Sequence, residues 1–430
     1  MAGIATAPRR ASLHVWDGRA DTGRRPEYRG AGRARPGRGR VGSVKRAPAI
    51  VVVGIHGHGA GHLRHVLELQ DHGRTRLAAT VDLQPPEVET GAPHWETLRR
   101  CLEAVDADVV IIATPIATHL ELATTALSGG CDVLLEKPPT ASMEDYHRLQ
   151  MTADRSGRLV QVGFQALGST AVPWLRRALA AEMIGSVRAV GIEGCWSRPI
   201  SYWRRARWAG RRSLDGRDVV DGVLTNPFAH AFASALTILG CGRSDAVGPI
   251  TLDQYRVNDI QADDTSTARI QNRAGVPITA ALTLCAGSEA PPLITFYGDQ
   301  GAVVLAYTED RARQLDAHGN TVAAIEYGRR DLLCNLLSAR RGEEELLVPL
   351  ESVSGFMVLL ETVRLAPDPR PIAPELVTWR DEPTADGLDR APVLRDAAEW
   401  VHRCASTGQT FREAGAPWAT AGGSSLRCFS

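Results

Sequence analysis

The stretch Leu135-Glu136-Lys137-Pro138-Pro139 ends an apolar, strand-like run on a lysine fixed between that run and two prolines. A lysine in this setting is held rigidly rather than tethered loosely at a surface. At the carboxyl edge of a parallel sheet its ammonium can stabilise a developing alkoxide. It can also give or take a proton once desolvation lowers its pKa. The second chemical feature is the glycine-rich turn Gly54–Gly61, "GIHGHGAG". Glycines let a backbone approach a pyrophosphate, and the helix that follows offers free N–H groups at the positive end of its dipole. Within the turn, Gly57-His58-Gly59 supplies a G-x-G. The third position of a G-x-G-x-x-G then falls on His62, with Gly61 one residue early. Asp82 closes the next apolar run and could accept hydrogen bonds from ribose hydroxyls, which favours NAD over NADP.

Positioning these groups takes alternating strands and helices. "AIVVVG" (49–54) has the continuous apolar pattern of a strand buried on both faces. Helical spacing follows in "HLRHVLELQDHG" and stops at Gly73; "TRLAATVD" is a second strand. A helix, the strand Val109–Ala113, the turn Thr114-Pro115 and a helix carrying His119 come next. The run ending at Lys137 is another strand. "ASMEDYHRLQMTADRSG" is a helix opened by the cap signal Ser142-x-x-Asp145, and "RLVQVGFQ" is a further strand. Strands alternating with helices in this way predict an α/β fold, here a doubly wound Rossmann sheet over residues 48–166.

The length allows a second substantial domain. Residues 167–419 contain hairpin patterns such as "DDTSTARIQNRAGVPITAALTLCA" and "PLITFYGDQGAVVLAY", with Gly275 and Gly301 at turns. They predict a C-terminal α/β domain with a large, mostly antiparallel open sheet. Residues 420–430 are expected to form a flexible tail. No apolar run is long enough to span a membrane. The eight cysteines are scattered without a C-x-x-C pair, which argues against a zinc site or disulfide scaffold and fits reduced thiols in the cytoplasm; no metal is expected.

The formal net charge of zero hides an asymmetry. Residues 1–47 hold twelve basic against three acidic residues, in a Gly- and Pro-rich context without apolar periodicity. This segment cannot bury enough surface to offset its chain entropy and is expected to be disordered. A nucleic-acid arm lacks aromatic interleaving. A twin-arginine signal at Arg9-Arg10 lacks an apolar region after it. A non-functional extension is the remaining reading, and no nucleic-acid or membrane partner is expected.

The stretches "ATPIATHLELATTALSGGCDVLLEKPP", "VQVGF" and "NPFAH", in this order, closely resemble the Gfo/Idh/MocA family of glucose–fructose oxidoreductases, inositol dehydrogenases and MocA-like proteins. The resemblance runs from about Ala49 to Ala419. It implies NAD(P)-dependent hydride transfer on sugars, inositols and related polyols. By residue match, Lys137 falls on the family's active-site lysine and His230 on its catalytic histidine. Asn226 stands where many members have aspartate, four residues before that histidine. The implied cofactor-facing set is Gly54, Gly57, His58, Gly59, Ala60, Asp82, Ala113, Thr114, Pro115, His119, Glu136, Lys137 and Gln165, with NAD expected and NADP the alternative. The resemblance also implies a homodimer or homotetramer.

Two local readings compete at Asn226. With Pro227 it could be the N-cap and first turn of the helix "FAHAFASALTILG", or it could join His230 on one helix face in the site. His230, with an ordinary pKa near neutrality, could exchange a proton with substrate. The loop "WSRPISYWRRARWAGRRSLDG" matches the family's substrate-covering loop. Its Tyr202, Arg205 and Trp208 would suit a sugar face or an anionic substituent, unless the loop is an interface or a solvated basic segment. Two other functions use the same framework: glycoside cleavage by transient oxidation and elimination with retained NAD, and non-catalytic ligand sensing.

Overall fold

Valine and isoleucine runs without polar interruption make the centre of the first sheet. In the computed structural model, which describes residues 46–384, 387–419 and 427–428, β1 (Ala49–Val53) is buried along its whole length. The elements that follow are α1 (His58–Asp71), β2 (Arg76–Val81), β3 (His94–Trp95), α2 (Leu98–Ala104), β4 (Val109–Ile112), α3 (His119–Ser128), β5 (Asp132–Leu135), α4 (Met143–Ser156) and β6 (Val160–Val162). The strands pair in parallel in the order β3-β2-β1-β4-β5-β6. The order reverses between β1 and β4, and ligands of such sheets bind outside the carboxyl ends of the strands at that point. β3 has only two residues, too short to show a pattern. The predicted cap is present: Ser142 Oγ accepts from the Asp145 amide at 3.2 Å.

After α5 (Ala171–Ala180), β7 (Val187–Cys195) enters the second sheet. A loop with three short pieces follows: α6 (Ile200–Arg204), β8 (Ser213–Leu214) and β9 (Arg217–Asp218). Then come α7 (Ala229–Ile238) and the strands β10 (Val247–Arg256), β11 (Thr265–Asn272), β12 (Pro277–Thr283), β13 (Leu293–Gly298), β14 (Gly301–Ala306), β15 (Arg311–Asp316) and β16 (Thr321–Glu326). After α8 (Leu332–Arg340) and α9 (Ser354–Leu365), β17 (Arg370–Pro371) adds to one end of the sheet, giving the order β16-β15-β14-β13-β7-β12-β11-β10-β17. Pairing is antiparallel except at β7–β12 and β10–β17. Gly275 turns one hairpin at φ +85°, whereas Gly301 opens β14 just past its turn.

One hydrophobic core runs from the first sheet into the inner face of the second, joined by Phe164, Phe228, Phe232 and Phe356. The opposite face, expected to be open, is covered in part by α10 (Ala397–Thr407), which follows the hairpin of β18 (Val377–Thr384) and β19 (Gly387–Leu394). Gly191 makes this possible, since a Cβ there would lie 2.5 Å from the Ala405 carbonyl. After α11 (Phe411–Ala414), Arg427–Cys428 form β20 against β10, where only a flexible tail was expected. The rest of that tail, and the basic extension up to residue 45, lie outside the described residues. Among the described residues no helix is long and apolar enough to cross a membrane.

Candidate functional site

The carboxyl ends of β1, β4, β5 and β6 bring Gly54, Ala113-Thr114, Glu136-Lys137 and Gly163-Gln165 to one edge. Two glycines are forced there. A Cβ on Gly54, at φ +79°, would lie 2.6 Å from the Ala113 carbonyl oxygen; one on Gly59 would lie 1.8 Å from the Gly54 carbonyl oxygen. Gly57, the residue before α1, has φ +56° but open space, as has Gly61. The expected Gly57-x-Gly59 frame is therefore displaced. Counted from Gly54, a G-x-G-x-x-G puts His56 second and Gly59 third. Ala60 lies in the first turn of α1, whose N-terminus has no side-chain cap and faces the same edge. Asp82 braces the turn: Oδ2 accepts from the Ile55 amide at 2.9 Å and Oδ1 from the Leu83 amide at 2.7 Å. A close glycine turn, an uncapped helix N-terminus and an acid after β2 together fit a dinucleotide.

Glu136 is buried. Its Oε1 is bonded by His62 Nε2 at 2.8 Å and His58 Nε2 at 3.2 Å. Burial alone would raise this carboxyl's pKa, but the two imidazoles outweigh it and hold the group well below the carboxylate range. His58 is raised in turn, chiefly by its hydrogen bond to Glu136. Gly163 leaves room for the carboxylate, since a Cβ there would lie 2.8 Å from Oε1. His58, expected to face the cofactor, thus turns its ring onto Glu136. In the sequence His62 stands only as the residue interrupting the fingerprint; its i, i+4 spacing from His58 on one face of α1 is the available signal. These three groups place potential ligand atoms within 4.8 Å of one another, and hydrogen bonds already account for them.

Lys137 Nζ donates to Asn226 Oδ1 at 2.5 Å and to the Asn226 carbonyl at 3.1 Å. Asn226 Nδ2 donates to Asp221 Oδ1 at 2.5 Å. Asp221 Oδ2 accepts from the Gly210 amide at 2.7 Å and from Arg205 Nη2 at 3.3 Å. Burial pushes the Lys137 ammonium below its usual pKa, opposed by the charges of Glu136 and Asp221. The cap reading of Asn226 does not survive, and its place beside Lys137 does not come from a helix face shared with His230. The helix starts at Ala229, so Asn226 is neither its cap nor one turn ahead of His230 on its face. Pro227 still precedes the helix, but the amide is committed to Lys137 and Asp221. No motif marks Asp221, which only the tertiary fold brings to the lysine. Asn226 apart, Lys137 is singular in another respect: of 49 basic residues only it and Lys45 are lysines.

His230 packs edge-on against Phe164, with ring centroids 5.7 Å apart, and its enclosed Nδ1 has no partner among the described residues. Burial, followed by the nearby Lys137 charge, pushes its pKa down to about 3. It is therefore neutral at physiological pH rather than poised to titrate there.

His119 is fully buried, with Nε2 2.9 Å from the Thr114 carbonyl and Nδ1 2.9 Å from the Pro138 carbonyl. It ties the Thr114 turn to the Lys137-Pro138 segment and has no nitrogen left for a cofactor. Gln165 stands in the turn after β6 and makes no side-chain hydrogen bond among the described residues. Arg205 is also committed. Its guanidinium stacks on Tyr202 (3.8 Å) and Trp208 (4.7 Å) while holding Asp221, so it is not free for an anionic substituent. Of the three loop residues only Trp208 lines the ≈ 100 Å³ cavity at Lys137, with Thr114, Pro115, Asp221 and Asn226. A larger basin of ≈ 1060 Å³, walled by Trp203, Arg211 and Arg256, shares only Val220 with it.

Residues 49–164 match the model of an oxidoreductase family with an NAD-binding Rossmann fold. Over these residues the chain carries the NAD-binding domain of the Gfo/Idh/MocA oxidoreductases, and it is an NAD-binding oxidoreductase. An uncharacterised oxidoreductase of Synechocystis is 24% identical over 272 residues, which are 59% of this chain and 71% of that protein. Inositol 2-dehydrogenase 4 of Saccharopolyspora erythraea is 32% identical over 143 residues, 31% of this chain and 42% of that protein. The WlbA dehydrogenase of Bordetella pertussis, solved with NADH and UDP-GlcNAcA, has the same fold: TM-score 0.62 at 22% identity, over 74% of this chain and 95% of that one.

Proposed function

We propose that this oxidoreductase transfers a hydride between NAD and a carbinol or carbonyl carbon of a sugar, inositol or related polyol, with Lys137 handling the proton on the substrate oxygen. The observation that carries this reading is the Lys137 ammonium, largely enclosed at the switch-point edge and lining a cavity with Thr114, Pro115 and Trp208. When bound, the nicotinamide would supply the hydride acceptor. Gly54 and Gly59 let the backbone come close, the α1 N-terminus favours the pyrophosphate, and Asp82 favours a ribose hydroxyl over a 2′-phosphate. Lys137 orients the substrate hydroxyl. In its neutral form, which burial favours, it accepts the hydroxyl proton at Nζ as the alcohol is oxidised, and it returns that proton in the reverse direction. Asn226 fixes the amine's position. His230, neutral, contributes hydrogen-bonding capacity rather than charge. Trp208 closes the cavity with an apolar wall. The exposed strands β15 and β16 support a homodimer or homotetramer, and the free described cysteines support a reducing, cytoplasmic compartment.

The test is NADH formation from NAD with a panel of inositols, glucosides and UDP-linked sugars. At least one should be oxidised, and Lys137→Ala should lower kcat by about 10²–10⁴-fold while NAD affinity stays near wild type. Undiminished turnover by Lys137→Ala would refute the assignment.

A further inference from the structure

We propose that Asp221 is the counter-charge and positioning residue for Lys137, acting through the Asn226 amide in place of a carboxylate at position 226. The proposal rests on the reading of Lys137 as the proton-handling group, and its test separates the two.

Polarity along the chain Lys137–Asn226–Asp221 leaves one arrangement. An ammonium can only donate and a carboxylate can only accept. The residue between them must therefore accept on one side and donate on the other, which an amide does with its Oδ1 towards Nζ and its Nδ2 towards Asp221, both at 2.5 Å. The charged and titratable groups around Lys137 are Glu136 on the same segment, His58 on α1, His119 on α3, Arg205 and Asp221 on the loop before α7, and His230 on α7. Two are acidic. Glu136 is occupied by His58 and His62. Asp221, 4% exposed, is the one whose hydrogen bonds lead to Nζ. Its second oxygen is fixed by the Gly210 amide and Arg205, so the carboxylate, and with it the Asn226 amide, has a single position.

The same geometry explains why position 226 is an amide. A carboxylate there would meet Asp221 at hydrogen-bonding distance, and two carboxylates so placed share a proton instead of both ionising. Asn226→Asp alone therefore adds no usable charge. Exchanging the two preserves the hydrogen-bond pattern, with only the Arg205 ion pair reduced to a contact with a neutral oxygen. In the double variant D221N/N226D, the new amide donates Nδ2 to the new carboxylate and accepts the Gly210 N–H at Oδ1, while the carboxylate bonds Nζ directly. Asp221→Asn alone breaks the pattern. Its single amide oxygen cannot serve both Asn226 Nδ2 and the Gly210 N–H, and the counter-charge is gone.

With only two lysines in the chain, Lys137 can be titrated without knowing the substrate. The protein is made with isotopically labelled lysine, the Lys45 resonance is assigned with Lys45→Arg, and the Lys137 side-chain signal is followed against pH by NMR. NAD binding checks that each variant is folded. Asp221→Asn should lower the Lys137 midpoint by about one pH unit or more, and D221N/N226D should bring it back to the wild-type value or above. With a substrate from the panel, Asp221→Asn should cost about tenfold or more in kcat/KM, and the double variant should regain most of it. An unchanged midpoint in Asp221→Asn, or a double variant no better than the single one, would overturn the role of Asp221. A fully active Lys137→Ala would instead remove the reading of the lysine, leaving the titration to decide Asp221 on its own.

Discussion

His230 offers a quantitative check on the electrostatics of the site. Its ordinary pKa of 6.5 applies to the unfolded chain, whereas enclosure lowers it to about 3 in the folded protein. Between these values the unfolded state binds the extra proton. Stability is therefore fully present above pH 6.5 and is lost as the pH falls towards 3. At pH 5 the loss from this one residue is about 2 kcal/mol. That is an upper figure, because the ring is partly exposed although Nδ1 is enclosed. His230→Gln keeps a neutral hydrogen-bonding side chain and removes the titration. Urea unfolding of both proteins at about pH 7.5 and pH 5 should show the wild type losing up to about 2 kcal/mol more than the variant. His119, also lowered by burial, is common to both and cancels. Identical losses would mean that His230 is not held neutral. The assignment of proton handling to Lys137 rather than His230 would then lose its basis.

Gly59→Ala places a methyl group 1.8 Å from the Gly54 carbonyl oxygen, so the turn must open. Calorimetry should find NAD affinity down about tenfold or more and stability down by about 1–3 kcal/mol. Lys137→Arg keeps the charge but cannot be deprotonated, so turnover should fall about 10²–10⁴-fold, close to the alanine variant, and should not recover at high pH.

The first sheet was legible because its strands are buried on both faces. Their apolar runs and the helices between them give separate periods, and the Ser142 cap and Glu136-Lys137-Pro138 element fall between them. The site was legible only where a residue's neighbours in sequence are its neighbours in space. The glycine frame was misplaced because the requirement at Gly59 comes from the Gly54 carbonyl across the turn, and no local spacing rule distinguishes it from the unconstrained Gly61. Asn226 looked like a cap because Asn-Pro is a cap signal, yet its amide is held by Lys137, just past β5, on one side and by Asp221 on the other. Arg205 looked available for substrate, but stacking and a buried carboxylate consume it. Asp221 had no signal at all, since nothing in the residues around it records that Lys137, 84 positions earlier in the chain, folds against its partner.

The scarcity of lysine bears on the same point. Wherever the described residues pair a cation with a carboxylate, the cation is arginine or histidine: Arg340 with Asp108 and Asp132, Arg269 with Glu413, Arg364 with Asp218 and Glu361. Guanidinium serves those pairs well, because its planar fork matches a carboxylate and its charge is permanent. A permanent charge would be a defect at position 137. On the proposed mechanism the group there is an ammonium in one step and an amine in the next, which a desolvated lysine beside Glu136 and Asp221 can be and an arginine cannot. A chain that uses arginine or histidine at every described ion pair to a carboxylate, yet places its single described lysine at the edge of the first sheet, fits the proposal that the proton there must be able to leave.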